Sequence, residues 1–421
     1  MVTRLQLDSH CPGALHAVEA RDGLLVRVRV PGGSIQPEQL AMLARASASF
    51  GDGNIDITAR ANVQLRGVRQ AALSALALAL GEANFIPSAE HDRVRNIEVS
   101  PFSGFHSSER VDALKLAREL DSRIIADPEL SRLPAKFRFA LDGGAPGANV
   151  HGADLALTAD EVSGDMHIHV WVASQSLGLH VMEEQAVDVL IDAARYSLEL
   201  ARKNGYNEGG WRLATLPNAA HELRNHLQGR LQTCTCPSSP SVRTVSSLGV
   251  FASNHVALVN LVPTVPLGRL TVVQALGIAE IATAHALHLR LGWWRGIVLA
   301  GAQRSEVTSI TEQLESLGMP VDNSLGYVGI STCSGIHGCL KAHADVRQDA
   351  SALAAQLVQL QLPPGWNAII AGCSKRCAMR ERASVVLTAA PLGYNILLDG
   401  VERGQAVPSS AAIDVVLASL R

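Results

Sequence analysis

One pattern occurs twice in this chain, and it limits the fold more than any other feature. Leu24-Leu-Val-Arg-Val-Arg-Val30 is β-branched and reads as a strand that runs into the turn Pro31-Gly-Gly33. Gln39 to Phe50 has a helical period, with Leu40, Leu43, Ala44 and Ser47 on one face. Gly53 to Thr58 and Val63 to Leu65 alternate as half-buried strands do, and Ala71 to Leu80 is a second helix by composition. Far downstream the order returns: strand His255 to Leu261, turn Pro266-Leu-Gly268, helix Thr271 to Ala284, strands Leu287 to Leu291 and Ile297 to Leu299. Placing Pro31 on Pro266 brings Gln39 onto Gln274 and Leu43 onto Ile278. A one-residue gap then puts Ile55 on Leu289, Ile57 on Leu291 and Leu65 on Leu299. The chain reads as an internal duplication of a small α+β layer.

Each copy is followed by a larger α/β segment, so the expected plan is A-B-A′-B′. The boundaries read 1–90 and 91–232 for the first pair, 248–318 and 319–421 for the second, with a Ser-, Thr- and Pro-rich linker at 233–247. The first larger segment has strand candidates at Asn96 to Val99, Lys136 to Leu141, Asp154 to Thr158 and Met166 to Val172, and a helix from Glu183 to Lys203. With 47% hydrophobic and 18% charged residues the chain is a well-buried globular protein. A net charge of -3 supplies no field for nucleic acid or membrane, so neither is an expected partner, and an anionic ligand must meet a local basic cluster. Met1 to Gly13 holds no apolar run of the signal-peptide kind and Ala71 to Leu80 is too short to span a bilayer, so the expected location is cytoplasmic. Seven cysteines in a reducing compartment point to metal or redox chemistry more than to disulfides.

Four of the seven form Cys333-Ser-Gly-Ile-His-Gly-Cys339 and, 33 residues later, Cys373-Ser-Lys-Arg-Cys377. Four thiolates suit a [4Fe-4S] cubane; structural zinc competes, although C-x5-C fits a zinc knuckle poorly. Arg60, Arg95, Lys136 and Arg138 sit at strand ends or on one strand face, where guanidinium and ammonium groups suit carboxylates or small oxyanions, and each taken singly reads as an ordinary surface charge. The second copy has Trp294 opposite Arg60, which assigns the basic function to one half and the cysteines to the other. His167 and His169 share a strand face and offer two imidazoles for a mononuclear iron, with a solvated face as the better reading. Cys234-Thr-Cys236 reads as incidental.

Taken together, these residues resemble the siroheme-dependent nitrite and sulfite reductase superfamily. The resemblance implies two ferredoxin-like half-domains, each followed by an α/β tetrapyrrole or Fe-S domain. It implies Cys333, Cys339, Cys373 and Cys377 as ligands of a [4Fe-4S] cluster, with Cys377 bridging to siroheme iron in the reductases. It also implies Arg60, Arg95, Lys136 and Arg138 as the basic residues around the tetrapyrrole and its small-anion substrate. The stretches Cys11-Pro-Gly13, Asp22 to Arg27, Ile57 to Gly67, Leu133 to Phe137, Ala140 to Gly144 and Gly372 to Ala378 are most similar to a branch that hydroxylates a cobalamin precursor with dioxygen. Two positions depart from that branch: Cys333-Ser-Gly335 replaces Cys-Pro-Gly, and Arg138 replaces a small residue, as a reductase would have it. The branch implies precorrin-3A and O2 as substrates, hydroxylation at C20 with an acetate closing onto C1 as a lactone, and an electron donor, NADH or a reductase or ferredoxin. A mononuclear non-heme iron beside the cluster belongs to the same expectation, and siroheme to the reductase reading. A non-catalytic four-cysteine metal protein is the remaining alternative.

Overall fold

The computed structural model describes residues 6–7, 11–162, 165–207, 209–234, 248–378 and 383–420. Four sheets carry the fold. In the first copy, strands Gly23–Val28, Val63–Val68 and Asn54–Ile57 lie side by side; in the second, Leu258–Val262, Ile297–Gln303 and His288–Leu291 do the same. The one-residue gap is visible in the registers: Ile55 pairs with Leu65 as Leu289 pairs with Leu299, and Ile57 with Val63 as Leu291 with Ile297. The two copies also exchange an edge. Ser34–Ile35 of the first pairs with His288–Leu291, and Arg269–Thr271 of the second pairs with Asn54–Ile57. Both exchanged strands follow the matched turns, so the duplication is reciprocal and the halves share one continuous hydrophobic core.

The matched glutamines explain how the exchanged strands end. Gln39 Oε1 accepts from the Gln36 amide (3.1 Å) and Gln274 Oε1 from the Thr271 amide (3.0 Å), each a capping box that starts the next helix, Pro37–Phe50 or Val272–Ala284. The far end of each side chain donates to a carbonyl at the foot of the copy's second helix, Ala83 (2.8 Å) or Leu317 (3.2 Å).

The larger segments repeat one topology as well. Ile97–Val99, Phe139–Asp142 and Leu155–Val162 are parallel neighbours, followed by antiparallel Asp165–Val172 and Gln175–Val181. Ile330–Thr332, Ala368–Ala371 and Val385–Ala390 are parallel, followed by antiparallel Gly393–Leu398 and Val401–Val407. Each sheet buries one face under helices: Ala113–Ala126, Ala186–Lys203 and Ala219–Leu227 on the first, Val346–Leu357 and Ser409–Ala418 on the second. The helices Ala113–Ala126 and Ala219–Leu227 and the strand Gln175–Val181 were not expected from the sequence.

Two local expectations fail. The strand expected from Lys136 begins only at Phe139, because Asn96 Nδ2 holds the carbonyls of Ala135 (3.1 Å) and Phe137 (3.0 Å) in a turn closed by Phe137 N to Pro134 O (2.7 Å). The expected linker does not begin at Thr233, which still pairs with Leu179; residues 235–247, with Cys236, lie outside the described residues. Among the described residues no helix is long and apolar enough to cross a membrane.

Candidate functional site

Parallel strands concentrate function at their carboxyl ends, and the cysteines sit there. Cys333 follows Ile330–Thr332 and Cys373 follows Ala368–Ala371, adjacent strands paired Thr332 to Ile370, so the two segments emerge side by side. A short helical turn, Gly335–Gly338, carries Cys339, and a turn closed by Arg376 N to Cys373 O (3.1 Å) carries Cys377. Burial pushes the Cys377 thiol pKa up, and the nearby Cys333, Cys373 and Cys339 push it further, with Lys375 opposing. The four are therefore neighbours. Yet among the described residues no three His, Cys, Asp or Glu side chains converge tightly enough for one metal ion. Four thiols gathered at the ends of two adjacent strands supply one ligand for each iron of a cubane.

The backbone is shaped around these sulfurs. The Gly372 amide donates to Cys333 Sγ (3.3 Å), and a Cβ at Gly372 would lie 2.8 Å from Ala342 Cβ and 3.4 Å from that sulfur. Gly372→Ala is accordingly expected to cost about 1–3 kcal/mol through overpacking and to lower the iron and sulfide retained on anaerobic purification, as read by thermal melting and metal analysis.

Facing the cysteines is the polar side of the first sheet. Leu24, Val26 and Val28 point into the core, so Arg27, and Arg29 just beyond the strand, point the other way. By the same alternation Asp56, Gln64 and Arg66 share that face. A row crosses four strands: Arg27 donates to Gln64 Oε1 (Nε 3.2 Å, Nη2 2.6 Å), Gln64 stands opposite Asp56, and Asp56 opposite Arg269. Arg66 clamps Asp22 with two bonds (2.8 and 3.0 Å) and donates to the Gly338 carbonyl (2.5 Å), tying the Cys339 turn to the sheet. Arg347, from the helix between the two cysteine pairs, reaches Asp56 (3.3 Å), and Arg295 of the second copy donates to the Thr332 carbonyl.

Between sheet and cysteines lies a cleft of about 210 Å³, lined by Arg27, Asp56, Arg66, Arg295, Arg347, Cys333 and Cys377 among others. It shares Ala59, Leu267, Gly268 and Arg295 with a second, more apolar cavity of about 230 Å³ walled by Trp293, Trp294 and Tyr327. A charged cavity beside an aromatic one, with a shared wall, suits a broad ligand with an apolar body and acidic edges.

Of the basic residues expected at the site, none lines this cleft. Arg60 is half-buried and close enough to Arg29 to depress its pKa. Arg95 is buried and bonded to both oxygens of Asp121 (2.7 Å each) and to Phe85 O (3.3 Å). Lys136 is exposed in the turn before its strand. Arg138, buried, forms a salt bridge with Glu98 (3.3 Å to each oxygen) and donates to His151 O. The basic groups in the cleft instead come from both halves, Arg27 and Arg66 with Arg295 and Arg347, which corrects the expected division between a basic half and a cysteine half.

Arg29 is the residue the sequence reading missed. Its side chain is 2% exposed; Nη2 reaches Arg93 O (3.1 Å) and Pro12 O (3.4 Å), while no described residue accepts from Nε or Nη1. Burial, then Arg27, pull its pKa down to about 9, with Asp92 opposing and Arg60 adding to the fall. A buried guanidinium with two idle donors is built for an anion. The alternation V-R-V-R-V was the available signal. The Cys11-Pro-Gly13 stretch belongs to the same corner: a Cβ at Gly13 would fall 2.2 Å from Oδ2 of Asp92, whose Oδ1 accepts from the Ala14 amide and whose Oδ2 accepts from the Leu15 amide (2.9 Å each).

The histidines are not on a solvated face. His169 is buried, and His167 stacks on His180 with ring centroids 4.5 Å apart. Cys234 Sγ lies 3.4 Å from His169 Nδ1, so that cysteine packs with the group. Among the described residues the group forms no single-ion site.

The nitrite/sulfite reductase ferredoxin-like half domain matches residues 16–83 and again 259–317, and the nitrite and sulphite reductase 4Fe-4S domain matches 90–207. The chain is 28% identical to a precorrin-3B synthase from Sinorhizobium sp over 94% of this chain and 83% of that one. It is 27% identical to a ferredoxin-nitrite reductase from Synechococcus elongatus over 89% and 77%. Mycobacterium tuberculosis NirA superposes with a TM-score of 0.77 at 19% identity, covering 93% of this chain and 79% of NirA, a likeness of fold. Together the two family models span more than half of the chain and reproduce its duplication. With its paired ferredoxin-like halves and its cysteine quartet, the chain belongs to the nitrite and sulfite reductase superfamily of iron-sulfur oxidoreductases.

Proposed function

We propose that this enzyme is a precorrin-3B synthase: it holds precorrin-3A in the cleft, with a [4Fe-4S] cluster on Cys333, Cys339, Cys373 and Cys377, and hydroxylates it with dioxygen, closing an acetate onto the ring as a lactone. The observation that carries the reading is the Arg138–Glu98 salt bridge. Reduction of sulfite or nitrite needs free cations gathered on a small anion. Here Arg138 is neutralised by Glu98, Arg95 by Asp121, and Lys136 stands apart at the surface. The cations of the cleft, Arg27, Arg66, Arg295 and Arg347, are spread along it, and although Asp22 and Asp56 partly offset Arg66 and Arg347, that spread suits the many carboxylates of a precorrin macrocycle better than one small anion.

On this reading Arg27, Arg66, Arg295 and Arg347, which line the cleft, bind acidic side chains of the ring, Arg29 adds its idle donors from beside Arg27, and Trp293 and Trp294 bound the space on its apolar side. The Gly372 amide and the Arg66 clamp on Gly338 keep the cysteine turns in place. The cluster, when bound, supplies electrons one at a time, as chemistry with triplet dioxygen calls for. Its donor is a small redox carrier or a nicotinamide-linked reductase; two relatives are named as ferredoxin-dependent reductases. A mononuclear iron is not part of the proposal, since no described residues gather to hold one.

Siroheme-dependent reduction is the second reading, favoured by the similarity to nitrite and sulfite reductases over most of the chain. Acid-acetone extraction of the purified protein separates the two. The synthase reading expects no siroheme and an absorbance change on adding precorrin-3A; stoichiometric siroheme in the extract would replace it with the reductase reading.

A further inference from the structure

Electrons that arrive through an iron-sulfur cluster arrive without protons, yet every reaction considered for this cleft consumes them. Inserting one atom of dioxygen into a C–H bond and releasing the other as water takes up two electrons and two protons. Removing oxygen from nitrite or sulfite as water likewise takes up protons. Such a cleft is served by a side chain that gives up a proton at working pH and takes another from solvent. Its arginines do not, because a guanidinium keeps its proton to about pH 12 or beyond. Thr58 and Ser334 are too weakly acidic, and Cys333 and Cys377 are assigned to the cluster.

One carboxyl lines the cleft among the described residues, Asp56. It sits mid-row on the polar face, between Gln64 and Arg269, with its side chain 16% exposed. Arg269 Nε stands 3.7 Å from Oδ1 and Arg347 Nη2 3.3 Å from Oδ2. Arg269 also bonds Asp52 (2.5 Å) at the outer rim, so the inner carboxyl is continuous with the surface through one guanidinium and the water that its own exposure admits. We propose that Asp56 is a catalytic acid of this cleft, handing a proton to the oxygen atom released as water, which comes from dioxygen in the hydroxylation and from the anion in the reduction, and recovering a proton from solvent to supply the second that water needs. The proton moves from a carboxyl oxygen of Asp56 to the departing oxygen; the carboxylate left behind is held by Arg269 and Arg347 until it is reprotonated. The electrons are those of the donor.

The electrostatics agree with the geometry. Burial raises the Asp56 pKa to about 6, with Asp52 adding to the rise while Arg269, Arg66 and Arg295 pull it down. Arg347 is the charge that faces it from the helix between the two cysteine pairs. The acid form is thus present below pH 6 and still populated at neutrality, and a rate that needs it falls as pH rises through that value.

The proposal deepens the function above and rests on it only in requiring that electrons reach a molecule in this cleft. The test compares wild type, Asp56→Asn and Asp56→Glu in turnover of precorrin-3A with dioxygen, and of nitrite with reduced methyl viologen, across pH 5 to 9. In parallel, the Asp56 carboxyl is titrated by carbon-13 NMR in substrate-free protein, assigned by its loss in Asp56→Asn. The expected result is a kcat about 100-fold lower in Asp56→Asn, loss of the wild-type decline above about pH 6, KM and iron content close to wild type, and recovery of most of the rate in Asp56→Glu. An Asp56→Asn protein with its cluster intact and the wild-type rate and pH profile would overturn it. If wild type turns over neither substrate, the functional reading fails by itself. A carboxyl that stays ionised below pH 4 in the titration, as a plain ion pair with Arg269 and Arg347 would, still sinks the role of Asp56, and in that case its absence of activity is not needed to decide.

Discussion

Cys377→Ala is expected to reduce turnover of precorrin-3A by well over about 100-fold, since altering even the groups that support a metal ligand costs 10–100-fold and this change removes the ligand itself. Cys377 lines the cleft and reaches it from the turn that begins at Cys373, so of the four thiols it and Cys333 stand nearest the bound molecule. Anaerobic protein carrying the change should contain less iron and sulfide and lose the broad visible absorption of a cluster, while its far-ultraviolet circular dichroism stays that of the wild type. The fold should survive because the sheet beneath, Ile330–Thr332 against Ala368–Ala371, is secured by its own core of Val346, Leu353, Leu357 and Ile370. An undiminished rate after this substitution would remove the cluster from the account.

Arg29→Met carries the second large effect, and its two halves have opposite signs. In substrate-free protein Arg29 is a liability: a cation out of water, beside Arg27 and Arg60, with Nε and Nη1 idle among the described residues. The lowered pKa sets where that cost applies. A basic group whose folded pKa is lowered to about 9 weakens the fold at every pH below about 9, and the penalty lifts only as pH rises from there toward the ordinary guanidinium range. Replacing an inadequately paired buried charge by an apolar side chain of similar size is commonly neutral or stabilising by about 1–4 kcal/mol. Arg29→Met should therefore melt at the same or a higher temperature than wild type at pH 7. Its affinity for precorrin-3A should fall by about 10- to 100-fold, the loss of a charge-assisted hydrogen bond of about 1.5–3 kcal/mol. Melting curves with and without substrate read both halves. Unchanged substrate affinity would mean that Arg29 serves the fold alone.

The parts of this molecule that were legible from sequence are those set by local periodicity. Ile55, Ile57 and Leu65 matched their downstream partners because a half-buried strand repeats every second residue, and the registers Ile55 to Leu65 and Leu289 to Leu299 agree to the residue. The cysteines were legible because spacing limits what a short turn can bring together. The cleft was less so, and the reason is physical. A charge on the outer face of an alternating strand has the same local pattern whether it meets water or another domain, so Arg27, Arg29 and Asp56 gave no sign of what would cover them. Arg95 and Arg138 failed in the opposite way: their partners, Asp121 and Glu98, lie 26 and 40 residues off and are brought to them only by the fold. The turn at Lys136 was hidden for a similar cause, since the side chain that shapes it, Asn96, belongs to a different strand end. What the fold adds to the repeat is thus the pairing of charges across it, Arg95 with Asp121 and Arg138 with Glu98.

The most direct test is to give anaerobically purified, pre-reduced protein precorrin-3A and oxygen-18 gas and to weigh the product by mass spectrometry. The account predicts a tetrapyrrole that has gained one oxygen-18 atom, formed by wild type and not by Cys377→Ala. A tetrapyrrole recovered without the label, from protein whose cluster is intact, would contradict it.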